Sequence, residues 1–188
     1  MNFESDILNC LKVLRAGGVI LYPTDTIWGL GCDATNENAV GKIYELKERP
    51  AEKSMIVLMA DERQLLQHVA NPDLAVFDWL KKNPGPTTVI YDGAIGLAEN
   101  LVADDGSVGI RICSDSFCKQ LIKRFGKPIV STSANISGQS SPGNFVDISN
   151  EIKTSVDYVV QYRQQDNSIT KPSSIIKWKS DGSVEIIR

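Results

Sequence analysis

The most informative stretch of the sequence is Leu21-Tyr22-Pro23-Thr24-Asp25-Thr26-Ile27-Trp28-Gly29-Leu30-Gly31. Val19-Ile20-Leu21 is an apolar run suited to a buried strand, and Pro23, which has no N–H to give a ladder, stops it. Thr24, Asp25 and Thr26 offer hydroxyls and a carboxylate that bond backbone or ligand, and Gly29 and Gly31 permit a bend or a close approach. A strand end that opens into such a loop is where α/β sheets hold ligands. An ordinary connection with an Asx turn at Asp25 fits the same residues.

Upstream, Ile7, Leu8, Leu11 and Leu14 recur at helical spacing between Ser5, a candidate N-cap, and the stop Gly17-Gly18. Downstream, Asn36 caps a second helix with Ala39, Val40, Ile43 and Leu46 on its apolar face. That helix runs out into Lys47-Glu48-Arg49-Pro50. Proline disfavours helix in the residue before it, so the two cations are placed on the exit loop. A strand is predicted over 55–59, then helices over 62–69 and 73–82 capped by Asp61 and Asp73. The rigid turn Pro84-Gly85-Pro86 leads into a strand over 87–91, a loop over 92–107, and a strand over 108–112 that carries Arg111 in apolar company.

Phe117, Leu121, Ile122 and Phe125 mark a helix ending at Gly126, and 128–130 opens a strand that runs into Ser131-Thr132-Ser133-Ala134-Asn135. A Ser/Gly/Pro-rich loop at 137–143 has the character of a mobile or ligand-covering segment. A short helix near 147–155, a strand over 157–160 and a hairpin pairing 174–178 with 184–187 around Asp181-Gly182 complete the pattern. Strands interleaved with helices predict one α/β domain over residues 1–188, built on a twisted mixed β-sheet with flanking helices.

A chain of 188 residues with 42% hydrophobic and 23% charged side chains has a globular composition. No apolar run approaches the ~20 residues that cross a bilayer, so no membrane role is expected. Glu4 and Asp6 stand where a secretory signal carries basic residues, which makes the expected location cytoplasmic. The formal charge of −3 argues against gripping nucleic acid by bulk charge and leaves room for a local basic groove. Cys10, Cys32, Cys113 and Cys118 form no Cys-x-x-Cys pair, and His68 is the only histidine, so no metal centre is expected. P-loop, dinucleotide-binding and nucleophile-elbow motifs are all missing.

Four groups remain as candidates for chemistry: Thr24-Asp25-Thr26; Lys47 and Arg49 with Lys53 close behind; Arg111; and Ser131 to Asn135. Three cations on a loop suit phosphate, although Glu45, Glu48 and Glu52 also fit a solvated surface run. An arginine between Ile110 and Ile112 either points to solvent or holds a carboxylate.

In order and spacing these pieces resemble the YrdC-like threonylcarbamoyl-AMP synthases, single-domain bacterial type. The resemblance runs through Tyr22-Pro23-Thr24-Asp25-Thr26, Gly29-Leu30, Lys47-x-Arg49-Pro50, Pro84-Gly85-Pro86, Val108-Gly109-Ile110-Arg111, Ser131-Thr132-Ser133-Ala134-Asn135-x-Ser137-Gly138, Pro172-Ser173-Ser174-Ile175 and the terminal Arg188. It implies a concave cleft in a twisted open sheet. It also implies a nucleotidyltransferase that makes threonylcarbamoyl-AMP and pyrophosphate from L-threonine, bicarbonate or CO2, and ATP, for the threonylcarbamoyladenosine at position 37 of tRNA. ATP is then a substrate, Mg²⁺ arrives on its phosphates, and a separate tRNA threonylcarbamoyl transferase complex receives the product.

Residue by residue, the resemblance puts Thr26, Arg111, Ser131 and Ser173 on threonine. It puts Arg49, Lys53, Ser133, Asn135, Ser141 and Arg188 on the nucleotide, with Lys47 and Arg49 as the catalytic pair. Ser54, Leu58, Thr87 and Cys113 depart from the family pattern without removing a charge from it. A double-stranded RNA or tRNA-binding module using the same cationic cleft, and a paralogue acting on another nucleotide or acyl acceptor, are the rival readings.

Overall fold

The strands are β1 Ile20–Tyr22, β2 Gly29–Gly31, β3 Ile56–Met59, β4 Thr87–Asp92, β5 Ser107–Ile112, β6 Ile129–Ser133, β7 Tyr158–Val159, β8 Ser174–Trp178 and β9 Val184–Ile186. They come from a computed structural model that describes residues 3–50, 54–179 and 181–188. One mixed sheet contains them in the order β7-β1-β2-β6-β3-β5-β4-β8-β9. The helices are α1 Glu4–Arg15, α2 Glu37–Leu46, α3 Glu62–His68, α4 Ala75–Lys82, α5 Ser116–Phe125 and α6 Asn150–Thr154.

Capping chemistry sets most helix starts. Asn36, Asp61, Asp115 and Ser149 each accept a backbone N–H of the first turn, and Gly126 closes α5 in the left-handed conformation. Two expected caps differ. Ser5 lies inside α1, whose N-cap Phe3 makes no capping bond and instead sets its ring against Phe117 and Tyr162 at 5.5 and 5.0 Å. Aromatic packing substitutes there for a side-chain acceptor. Asp73 sits one residue before the N-cap Leu74, and its carboxylate takes the Ala75 N–H and the Trp178 indole N–H.

The apolar stripes of α1, α2 and α5 are buried through Ile7, Cys10, Leu11 and Leu14; Ala39, Val40 and Ile43; and Phe117, Cys118, Leu121 and Ile122. Each large side chain so buried contributes about 1.5–3 kcal/mol. Leu8, expected on the same stripe, is instead exposed. Asp6 is buried and accepts from the Tyr158 hydroxyl and from the N–H groups of Gln161 and Tyr162, which ties α1 to the β7 edge.

The largest departure from expectation is β2. Gly29–Gly31, which the sequence reading puts in the loop after β1, is a strand antiparallel to both β1 and β6. A Cβ on Gly31 would lie 2.6 Å from the Tyr22 ring and 2.8 Å from the Val130 carbonyl, so only glycine fits between those neighbours. β6 runs further than the apolar 128–130 suggests and takes Ser131, Thr132 and Ser133 into the ladder. It fills the sheet between β2 and β3.

Candidate active site

Residues opposed across a ladder share a face, and alternate residues along a strand return to it. The registers Gly29↔Ser133, Ile56↔Ser131, Leu58↔Arg111 and Thr88↔Ile175 therefore set a row of glycine, hydroxyls and arginine along one face. That face carries a cleft of about 190 Å³. Thr26, Arg49, Arg111, Ser131, Ser133, Ser141, Ser173 and Arg188, all expected from the sequence, line it. Asn135 and Lys47 stand behind this wall, and Lys53 lies outside the described residues.

Arg111 is 3% exposed. Its Nη2 lies 3.0 Å from Asp25 Oδ1 and donates to Thr26 Oγ1 at 3.2 Å. Of the two options left open by sequence, it takes the carboxylate, one supplied by the chain itself. The contact is one of charge: Asp25 Oδ1 and Arg111 Nε are both buried without a hydrogen-bond partner among the described residues. Asp25 Oδ2 accepts from the Ser114 N–H and hydroxyl at 3.1 and 3.3 Å. Thr24 Oγ1 accepts the Thr26 N–H and donates to the Ile27 carbonyl, so the loop is cross-braced around Thr26.

The cationic exit of α2 is a Schellman turn. Arg49 N–H reaches back to the Tyr44 carbonyl across Glu48, a non-glycine residue at φ 48°. Lys47 is the C-cap residue, 1% exposed, and its ammonium donates to the carbonyls of Ser133 and Asn135. Burial, reinforced by the charge of Arg49, pulls its pKa down to about 8. Arg49 is half-buried, gives Nη2 to the Ser54 carbonyl at 2.8 Å, and is pushed down by burial as well.

Asn135 spends its amide on the carbonyls of Ile136 and Gln139, so it shapes the loop after β6. The 137–143 loop is moored on either side: the Ser137 N–H meets the Lys47 carbonyl, and Phe145 packs on Trp28 at 4.8 Å between ring centres. Arg188 pairs through its backbone with Ile175 and donates Nε and Nη2 to the Ser173 carbonyl at 3.3 and 3.1 Å. Leu58 is fully buried and Cys113 nearly so, and burial, followed by the nearby Asp25 charge, pushes the Cys113 thiol up to about 12.

Sequence reasoning missed three members of this arrangement. Asp25 as the partner of Arg111 leaves no local signal, since the two lie on distant segments. The Ser54 carbonyl is a main-chain atom, which no side-chain motif announces. Thr88, beside Ser173, was visible only as one of two threonines after the Pro-Gly-Pro turn.

Hydroxyls and arginines on a mixed α/β sheet give the cleft the donor chemistry that suits an anion. The Sua5/YciO/YrdC model, described as "Telomere recombination", matches residues 12–188, and the chain belongs to that family. It is similar to the threonylcarbamoyl-AMP synthase of Idiomarina loihiensis, 35% identical over 162 residues, 85% of this chain and 86% of the relative. Among solved structures it resembles Escherichia coli YciO at TM-score 0.83 and 25% identity, covering 98% of this chain and 88% of that one. It also resembles P. abyssi Sua5 complexed with L-threonine at TM-score 0.86 and 25% identity, with 98% of this chain matched. This chain spans 54% of that Sua5.

Proposed function

We propose that the chain is a threonylcarbamoyl-AMP synthase, a nucleotidyltransferase acting in the cytoplasm on L-threonine, bicarbonate or CO2, and ATP. The observation that carries this reading is the single cleft that gathers Arg111 and Thr26 with Arg49 and Arg188, separated by the hydroxyls of Ser131, Ser133 and Ser173. Relatives bearing the synthase name, and a neighbour whose structure holds L-threonine, support it.

In this proposal Arg111 and Thr26 hold the threonine carboxylate, with Ser131 and Ser173 beside it. Arg49, Ser133, Ser141 and Arg188 receive the nucleotide, and Lys53 keeps its sequence-based assignment there. Lys47 and Asn135 act from behind, by holding the strand end that carries Ser133. The threonine amine and CO2 form an N-carboxylate, whose oxygen attacks the α-phosphorus of ATP as the bond to the pyrophosphate oxygen breaks. Such a displacement asks the protein for alignment and charge neutralisation more than for a strong base. The described lining contains no Asp or Glu, which fits Mg²⁺ arriving on the phosphates. The product serves position 37 of tRNA through a separate transferase complex.

The test is pyrophosphate release from ATP. It is expected only when threonine and bicarbonate are both present, because the nucleophile is assembled from the two. Full release with either one omitted would defeat the assignment.

A further inference from the structure

Thr88 is fully buried in β4 and paired with Ile175 of β8. One step beyond Val89↔Ile110, the antiparallel register with β5 brings it level with Arg111. Its methyl packs over Gly109, where an added Cβ would lie 3.3 Å from Thr88 Cγ2. A β-branched side chain held by its methyl has its hydroxyl direction fixed as well. Thr88 Oγ1 lies 2.9 Å from Ser173 Oγ, its one hydrogen-bond partner among the described residues.

The direction of that bond follows from burial. A buried donor without an acceptor is rarer and costlier than an idle lone pair. Thr88 has no second acceptor among the described residues, whereas Ser173 lines the cleft and can give its proton to a ligand. Thr88 therefore donates, Ser173 accepts, and the Ser173 O–H is left turned toward the cleft. The Ser173 carbonyl is held from the other side by Arg188.

We infer that Thr88 is a positioning residue: without touching substrate, it presets Ser173 as a hydrogen-bond donor to the carboxylate of the amino-acid substrate that Arg111 faces. This role presupposes the synthase activity proposed above. It assigns the recognition of that carboxylate to a hydroxyl pair as well as to the arginine.

The test compares Thr88→Val, Thr88→Ser and Ser173→Ala by steady-state kinetics, with melting temperature as the check on folding. Thr88→Val should raise KM for threonine about tenfold, the scale of one hydrogen bond to a charged group, while kcat and KM for ATP stay within about twofold. Thr88→Ser keeps the hydroxyl and should restore threonine KM. In a Ser173→Ala background, Thr88→Val should add nothing, because the group it orients is gone. An unchanged threonine KM in Thr88→Val, or a full penalty on top of Ser173→Ala, overturns the inference. If Thr88→Val does not fold, Thr88→Ser decides together with Ser173→Ala: KM held in the first and raised in the second supports the role, and any other pair of results overturns it. Wild-type protein that releases pyrophosphate without threonine overturns the synthase reading itself. Wild-type protein that needs threonine while Thr88→Val is indifferent overturns only the role of Thr88.

Discussion

Arg111 and Arg188 line one cleft and are held in opposite ways. Arg111 is buried on β5 with the Asp25 carboxylate 3.0 Å away, whereas Arg188 is exposed beyond β9 and gives its guanidinium to a neutral carbonyl. Arg49 also gives Nη2 to a main-chain carbonyl, that of Ser54. A carboxylate cancels charge, while a carbonyl only orients it. The Arg111 end thus presents geometry with little net field, whereas the carbonyl that holds the Arg188 guanidinium leaves its charge in place. In the proposed function the amino acid meets the first of these arginines and the triphosphate the second.

The sharpest way to break this contrast is Asp25→Ala. It strands a buried arginine and should cost about 3–5 kcal/mol in urea unfolding, the scale for breaking one side of a buried pair. Stability equal to wild type would mean that Asp25 does not hold Arg111.

Arg188→Ala should do the reverse: KM for ATP rises about tenfold while the melting temperature barely moves, because a charge-assisted contact is lost and no core is opened. Unchanged ATP kinetics would remove Arg188 from the nucleotide end.

A smaller effect sharpens the picture of the cationic end. Folded Lys47 loses its proton near pH 8, against 10.5 ordinarily. Between those values the unfolded chain holds more protons, so this residue makes stability rise with pH. The four buried thiols act the other way above their ordinary 9.0, since burial holds their protons in the folded state. The difference between wild type and Lys47→Met cancels the thiols. Urea midpoints from pH 7 to 10 should therefore move in favour of wild type. A pH-independent difference would show that Lys47 titrates normally.

Much of the fold was legible because local rules governed it: Asn36 and Asp61 cap where expected, Gly126 stops α5, and Asp181-Gly182 turns the last hairpin. β2 was not, because Gly29 and Gly31 have no strand preference of their own, and what holds them in the ladder is their neighbours, which leave no room for a side chain at Gly31 and little at Gly29. In the site, residue types were legible and partnerships were not. Arg111 stood out in an apolar strand, but its carboxylate comes from a segment far away in sequence. Lys47 advertised charge, and nothing in its surroundings along the chain told that two carbonyls, one at the end of β6 and one just past it, would receive it.

The place of β6 in the sheet has a consequence for how the protein is born. A chain leaves the ribosome from its N-terminus, so Gly29–Gly31 and Ile56–Met59 emerge well before Ile129–Ser133, the strand that lies between them. Until that strand arrives, each of the two offers an open edge, the usual starting point of wrong pairings. The same insertion delivers Ser131 and Ser133 to the cleft and the carbonyls that receive Lys47. Joining the two halves of the sheet and forming the β6 wall of the cleft are thus one event, and a nascent chain that ends before Ile129 has neither.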